Sequence, residues 1–287
     1  MKPVLKWAGG KRQLLKIISS FINNETIGEG TYFEPFFGGG CVFFSLHPKK
    51  AVINDFNEEI INVYKTIKKS PEELVSLLKT HSESNDKDYF YNLRSLDREI
   101  DFADKKKYTN VFKASRTIYL NKTCFNGLYR VNLKGQFNVP YAYYKNPPIC
   151  DEENIKEISK FLKESDVQIL CCDFEKAVEK AKAGDYIYFD PPYDYEKEDG
   201  FVGYVKEGFS HNDLLRLKKV CDELISRGCK VLISNNDTTF VRNTFKGDNF
   251  EIVYETKEIS ANRSINCKGN RRRNAREVLI YGRRNEK

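Results

Sequence analysis

An open α/β sheet, mixed and mostly parallel, with a helical and hairpin lobe inserted, is the fold that this 287-residue chain predicts. Three observations predict it. Tyr186-Ile187-Tyr188-Phe189 is an apolar, β-prone run that stops at Asp190-Pro191-Pro192-Tyr193, where two prolines bar both helix and ladder. Phe33-Glu34-Pro35-Phe36-Phe37-Gly38-Gly39-Gly40 is a second strand end, opening into a glycine turn. On either side of a central interruption, short apolar runs alternate with amphipathic helical patterns, the rhythm of a doubly wound sheet.

In chain order, Thr31 to Phe36 and Ala51 to Asn54 read as short buried strands, the second ending at Asp55. A helix over Asn57 to Lys68 sets Ile60, Ile61, Tyr64 and Ile67 on helical spacing. Ser70-Pro71-Glu72-Glu73 starts the next, with serine as cap, proline in the first turn and a carboxylate in the capping-box position. From His81 to about Tyr144 the alternation lapses. Asp86 to Arg98 and Val111 to Leu120 read as helices, and Asn132 to Val139 as a hairpin arm turning near Gly135. Residues 81–145 are therefore read as the inserted lobe, between sheet-domain segments 1–80 and 146–287. A helix from Glu152 to Lys163 returns to the sheet. Val167 to Cys172 ends at Asp173, Tyr186 to Phe189 at Asp190, and Lys230 to Ile233 at Ser234-Asn235-Asn236. His211 to Ser226 is a helix capped by Ser210, and Phe250 to Tyr254 with Glu277 to Tyr281 form a closing antiparallel pair. Three strands thus end in Asp55, Asp173 and Asp190 beside the glycine turn. Open α/β sheets bind ligands at those carboxyl ends.

The formal net charge of +7 is a mild basic bias that selects no partner, but its distribution says more. Ile259 to Arg276 holds six Lys or Arg residues and no acid, including Arg271-Arg272-Arg273; it is an electrostatic footprint or a solvated tail. The eight cysteines form no CxxC and the three histidines offer no local metal spacing, so no metal is implied. Free thiols in a reducing cytoplasm are the simplest reading. The N-terminus has no long apolar run behind it, which argues against a signal peptide or membrane span.

Asp190 carries the chemistry. No histidine is adjacent to make it a general base. As a hydrogen-bond acceptor it needs none: its oxygen and the Pro191 carbonyl can draw both hydrogens of an exocyclic amine and localise the nitrogen lone pair for attack on an electrophilic methyl. Tyr193 supplies a stacking face for a planar ring. Asp55 lies where a Rossmann-type site puts its ribose-gripping acid, though slightly early. Trp7 with Gly9-Gly10 either flanks an adenosyl group or anchors the N-terminus. The glycine triplet by itself is equally an ordinary turn. In the inserted lobe, Asn121 to Asn132 is a dense polar cluster. Arg130 can read guanine bidentately, Leu128 can touch a thymine methyl and Phe125 can wedge into a base stack; a core-facing loop with one solvated arginine is the alternative. Tyr141, Tyr143, Tyr144 and Lys145 continue a polar aromatic rim suited to a sugar-phosphate backbone.

With these residues in view, the chain resembles, end to end, the Dam-type DNA adenine-N6 methyltransferases of the alpha group. It is most similar to the GATC-modifying enzymes, including the methylases of type II restriction-modification systems. Val4-Leu5-Lys6-Trp7-Ala8-Gly9-Gly10-Lys11 resembles the family's N-terminal cofactor motif, and Phe33 to Gly40, with Glu34, Pro35, Phe36, Gly38, Gly39 and Gly40, its methionine-pocket motif. Asp55 matches the ribose-binding acid, Asp173-Phe174 the acid and aromatic that hold the cofactor adenine, and Asp190-Pro191-Pro192-Tyr193 the catalytic motif. The resemblance implies a Rossmann-like methyltransferase sheet with S-adenosyl-L-methionine as cofactor, S-adenosyl-L-homocysteine as product and no metal. It implies double-stranded DNA as partner, base flipping, Lys6 on the first guanine of GATC, Arg130 on the third pair, and Leu128 and Pro140 facing the last pair. Phe125 and Asn126 would fill the gap left by the extruded adenine, with Tyr144 and Arg271 to Arg273 along the DNA. Tyr143 stands where an enteric-bacterial relative carries arginine. A cytoplasmic monomer is expected, with a cognate restriction endonuclease acting in the same system without a stable complex. The rival readings are a cytosine-N4 methyltransferase and a non-catalytic DNA-binding regulator; the latter need not keep Asp190 to Tyr193.

Overall fold

The structure is a computed structural model and describes residues 1–194, 209–246, 251–261 and 275–285. The first strand, β1 (Tyr32–Glu34), follows two short helices, α1 (Leu15–Phe21) and α2 (Asn24–Ile27). The glycine turn leads into α3 (Cys41–Leu46) and then β2 (Lys50–Asn54). Four helices come next: α4 (Glu58–Lys69), α5 (Pro71–Glu83), α6 (Lys87–Ser95) and α7 (Asn110–Thr123). After α8 (Glu152–Glu164) the chain runs through β3 (Asp166–Leu170), α9 (Phe174–Ala177) and β4 (Tyr186–Phe189). It closes with α10 (His211–Ser226), β5 (Lys230–Asn236), α11 (Thr239–Thr244), β6 (Ile252–Ala261) and β7 (Ala275–Arg284).

The seven strands form one sheet in the order β3-β2-β1-β4-β5-β7-β6. β1 pairs in parallel with β2 and β4, and β4 with β5. β7 runs antiparallel to both β5 and β6, the expected closing pair. β1 and β4 are neighbours from which the order departs in opposite directions, which is the switch point at whose carboxyl ends open α/β sheets bind ligands. Both strands are buried on both faces, which is why they read as continuous apolar runs rather than alternating ones.

The chain divides into two compact units. The first comprises Met1–Arg12, Gly38–Ser45 and Asn57–Cys171; the second comprises Gln13–Phe37, Leu46–Phe56 and Cys172–Lys287. In the first, Ile60, Ile61, Val63, Tyr64 and Ile67 of α4 are buried, as are Ala114, Ile118 and Leu120 of α7 and Ile155, Ile158 and Leu162 of α8. The half-buried Asp97 carboxylate accepts from Arg116 Nη2 at 2.8 Å and from the Phe137 amide at 2.8 Å. It ties the segment after α6 to α7 and to the hairpin. In the second unit the core is strand residues Tyr32, Ile53, Ile187, Phe189, Val231 and Ile233, covered by Leu217, Cys221 and Leu224 of α10. Ser210 caps α10 in a capping box with Asp213.

Three local expectations need correction, and a fourth holds. Ser70 makes no side-chain cap; its amide already closes α4 on the Thr66 carbonyl (2.8 Å), and φ −138°, ψ 56° serves two abutting helices at once. The arm at Asn132 to Val139 is a hairpin, as expected: it turns at Gly135 (φ +75°), Val131 bridges Phe137 antiparallel, the Asn132 amide donates to the Gln136 carbonyl (2.8 Å) and the Asn138 amide to the Arg130 carbonyl (3.0 Å). Asn132 Oδ1 also accepts from the Lys134 and Gln136 amides (2.9 and 3.0 Å), so a side chain braces the turn. β3 stops at Leu170, because the Cys172 amide bonds to Asn54 Oδ1 (2.9 Å). β5 continues past Ile233, since Ser234, Asn235 and Asn236 pair with Leu279, Val278 and Glu277. The run Arg271 to Arg273 lies outside the described residues.

Candidate active site

In the second unit, the carboxyl ends of β1, β2 and β4 gather most of the acids singled out from sequence. Asp190 follows directly on β4 and is half-buried; Pro191 is buried and Pro192 exposed. The Tyr193 hydroxyl donates to Glu277 Oε2 at 3.3 Å. Burial first, then the Asp190 carboxylate, holds the Tyr193 hydroxyl well above its usual pKa, so it stays a neutral donor. Two residues before Asp190, Tyr188 bonds Ser234 Oγ at 2.7 Å, tying β4 to β5.

At the end of β1, buried Glu34 accepts from the Tyr32 hydroxyl at 2.7 Å. Burial, reinforced by that carboxylate, raises the Tyr32 pKa. The Pro35 carbonyl and the Cys172 carbonyl both accept from Asn54 Nδ2 at 3.0 Å, and the Phe37 amide donates to the Asn54 carbonyl at 2.8 Å. A single buried amide thus fixes the exit of β1 against Cys172, with Asp55 next in the chain. Beyond it, Phe36 stacks on Phe174 with ring centroids 5.4 Å apart at 30°. Asp173 caps α9 by accepting from the Glu175 amide (3.0 Å) and takes Arg216 Nη2 at 2.9 and 3.0 Å. The same guanidinium lies 4.9 Å over the Phe174 ring. The acid and aromatic pair is therefore a braced element rather than two loose side chains.

The first unit carries the glycine motifs and the polar cluster. Trp7 lies against Tyr129 (5.2 Å between rings). Gly38 has φ +50°, and a Cβ there would come within 2.8 Å of the Trp7 ring, so both space and backbone exclude a side chain. Buried Lys11 folds its Nζ back onto the Gly9 carbonyl at 2.6 Å; Gly10 is exposed. Gly39 offers its carbonyl to the Tyr64 hydroxyl at 3.0 Å, and Gly40 has φ +72°.

Lys6, Asn126, Gly127 and Tyr144 meet in one patch. Asn121, buried at the end of α7, accepts from the Lys6 amide (2.8 Å) and donates to the Lys6 and Gly127 carbonyls (2.9 Å each). The Lys6 ammonium lies 5.4 Å over the Tyr144 ring, and the Tyr144 hydroxyl accepts from the Asn126 amide at 3.1 Å. Gly127 has φ +63°, and a Cβ would lie 2.4 Å from Lys6 Cδ. Phe125 is 49% exposed, its amide donating to the Pro140 carbonyl at 2.9 Å. Leu128 is half-buried and Pro140 exposed. Arg130 is exposed, and its Nε donates to Asn138 Oδ1 at 2.7 Å. Tyr143 is exposed, with φ +52°, edge-on to Tyr141. Burial, with Lys6 nearby, pulls the Lys122 pKa down to about 8.

A strand-end carboxylate followed by two prolines and a tethered tyrosine, on a sheet of this order, is the signature against which known proteins can be compared. Residues 7–265 match the family described as D12 class N6 adenine-specific DNA methyltransferase. The chain belongs to that family. It is 43% identical over 287 residues to the type II methyltransferase M1.LlaDCHI of Lactococcus lactis, covering 98% of this chain and 96% of the relative. It is 41% identical to the type II methyltransferase M.MjaIII of Methanocaldococcus jannaschii, covering 98% of each. A DNA adenine methylase of Vibrio cholerae is 30% identical over 90% of both chains. The protein is thus an adenine-specific DNA methyltransferase by family.

Several residues that organise this methyltransferase were not assigned a role from sequence. Asn54, Asn121, Asn235 and Glu277 are buried and polar, far in sequence from what they hold. Their signal is conditional: an asparagine inside an apolar run must find partners, but which ones the sequence does not say. Among the described residues, no group of His, Cys, Asp or Glu is arranged to hold a metal ion, and no helix is long and apolar enough to cross a membrane.

Proposed function

We propose that the protein moves a methyl group to the N6 amine of an adenine flipped out of double-stranded 5′-GATC-3′, with S-adenosyl-L-methionine as donor. The observation that carries the reading is Asp190-Pro191-Pro192-Tyr193 at the carboxyl end of buried β4. The donor set fits the cofactor. In the second unit Asp55 is the acid for a ribose, the Phe36–Phe174 pair with Asp173 suits an adenine ring, and Glu34 with Pro35 lies at the methionine-pocket motif. In the first unit Trp7, Gly9, Gly10, Lys11 and Gly38 to Gly40 take cofactor roles by their match to the family motifs. When bound, the cofactor supplies an electrophilic methyl group and leaves as S-adenosyl-L-homocysteine.

The chain's own work is orientation and electrostatics. The Asp190 carboxylate and the Pro191 carbonyl accept the two amine hydrogens, concentrating the lone pair on nitrogen. The Tyr193 ring, its hydroxyl turned to Glu277, stacks on the extruded base. Residues 81–145 read the site. Lys6 and Arg130 take guanines, Leu128 and Pro140 the last pair, Phe125 and Asn126 the vacated stack, and Tyr144 and Arg271 to Arg273 the backbone. The protein would act as a cytoplasmic monomer, alongside a restriction endonuclease that it does not bind stably.

Plasmid DNA incubated with enzyme and cofactor should resist endonucleases blocked by adenine methylation at GATC, and its labelled product nucleoside should be N6-methyladenine. Full digestion despite labelled methyl incorporation would move the site away from GATC.

A further inference from the structure

The proline pair that stops β4 also creates a mechanical problem. Pro191 and Pro192 have no N–H, so the chain between Asp190 and Tyr193 lacks two of the donors that would ordinarily pin a loop. A target amine must nevertheless be met by an oxygen and a ring held to a fraction of an ångström.

The residue after the tyrosine is held on every side. The Asp194 amide donates to Asn235 Oδ1 at 3.0 Å. Its carbonyl accepts from Asn236 Nδ2. One carboxylate oxygen accepts from Thr238 Oγ1 at 2.6 Å, and the other lies 3.1 Å from His211 Nε2. The partners are themselves fixed. Asn235, Asn236 and Thr238 are buried at the end of β5 and the start of α11. Asn235 Oδ1 also accepts from the Asn236 amide (2.8 Å), which sets the amide's orientation, and Thr238 caps α11 through the Val241 amide. The His211 ring stacks on Phe240 at 3.7 Å and 9°. All of these residues lie in the second unit.

We propose that Asp194, clasped by Asn235, Asn236 and Thr238, is the anchor that sets the position of the Asp190–Tyr193 segment, and that Asp194 and Thr238 are positioning residues for methyl transfer. The inference rests on the reading of Asp190 to Tyr193 given above. The clasp replaces the backbone donors that the prolines remove: it grips the second residue beyond them by amide, carbonyl and carboxylate together. None of its members need touch the base. Their effect is on the geometry in which the amine meets Asp190, and so on the rate of the bound complex rather than on binding.

The test is single-turnover and steady-state methylation of a GATC duplex by the full chain, for wild type, Thr238→Val, Thr238→Ser, Asp194→Asn and Asp190→Ala. Thr238→Val and Asp194→Asn should lower the single-turnover rate about tenfold to a hundredfold, the scale of a small misplacement of reacting groups. KM for DNA and for cofactor should stay within about threefold, since ground-state contacts are untouched. Thr238→Ser, which keeps the hydroxyl, should restore the rate. Fluorescence of 2-aminopurine at the target position should report the same extent of base extrusion but a different environment for the extruded base. Rates within twofold of wild type for both Thr238→Val and Asp194→Asn, while Asp190→Ala is inactive, would overturn the clasp and leave the catalytic reading intact. An active Asp190→Ala would overturn the reading itself. A loss in Thr238→Val that Thr238→Ser does not recover would assign the residue to packing and also overturn the proposal.

Discussion

In the proposed reaction Asp190 and Tyr193 divide the work at the target amine, and their substitutions should separate it. Asp190→Ala is expected to abolish turnover while cofactor affinity, measured by calorimetry, stays within about tenfold, because the carboxylate serves the transition state rather than the cofactor's ribose. Asp55→Ala should show the opposite order, losing about 1–3 kcal/mol of cofactor affinity first, through ribose hydrogen bonds. Tyr193→Ala should slow methylation more than it weakens duplex binding. Sequence reasoning expects Tyr193→Phe to be mild, and the 3.3 Å bond to Glu277 is long enough to keep that expectation. Equal damage from Phe and Ala, in parallel rate measurements, would give the hydroxyl a chemical duty. The acid, prolines and ring were legible from their adjacency alone. Glu277, 84 positions away on β7, was not, because only the antiparallel closure of the sheet brings it to the tyrosine.

Among elements, the segment after α7 is where sequence and fold divide most clearly. Arg130→Ala should cost about 1–3 kcal/mol against the cognate duplex and relax discrimination at one base pair, as competition binding across single-substituted sites would reveal. A uniform loss over all substituted sites would make Arg130 a phosphate contact. Asn121→Ala should loosen Lys6 and Gly127 together, since one side chain holds both backbones. Its specificity loss should therefore appear at the pair assigned to Lys6 while the helices, followed by circular dichroism, remain. The existence of α4, α7, α8 and α10 was readable, with the buried face of α4 given by apolar spacing and the start of α10 by its Ser210 cap. Ser70 was misread because two helices share one linking residue, a clash that local cap rules do not see. The hairpin was readable from its turn at Gly135, whereas the brace that Asn132 Oδ1 gives the Lys134 and Gln136 amides was not.

Across the molecule, stability should carry the mark of His81. It sits buried where α5 meets α6 and α7, with Nδ1 2.7 Å from the Tyr89 hydroxyl and Nε2 3.0 Å from Ser115 Oγ. Burial lowers its pKa from 6.5 to about 4. The folded protein then holds the ring neutral while the unfolded chain takes up a proton, so stability present at neutral pH is lost as pH falls from 6.5 towards 4. The shift corresponds to about 3 kcal/mol. Denaturant titrations at pH 7 and 4.5 should show this loss, and His81→Gln should flatten it.

The sequence by itself determined the sheet, its acidic strand ends and the chemistry proposed for Asp190 to Tyr193, because those depend on neighbours in the chain: apolar period, proline geometry and adjacency. It also carried the family, since whole motifs survive in order. Only the tertiary structure decided which buried amides and half-buried carboxylates brace those motifs: Asn54 at the exit of β1, Asn121 beneath Lys6, Asp97 under the hairpin, and the Asp194 clasp on β5. A buried polar group must be satisfied, and the partner that satisfies it is set by which strands and helices come together, a distance in space that no local pattern records.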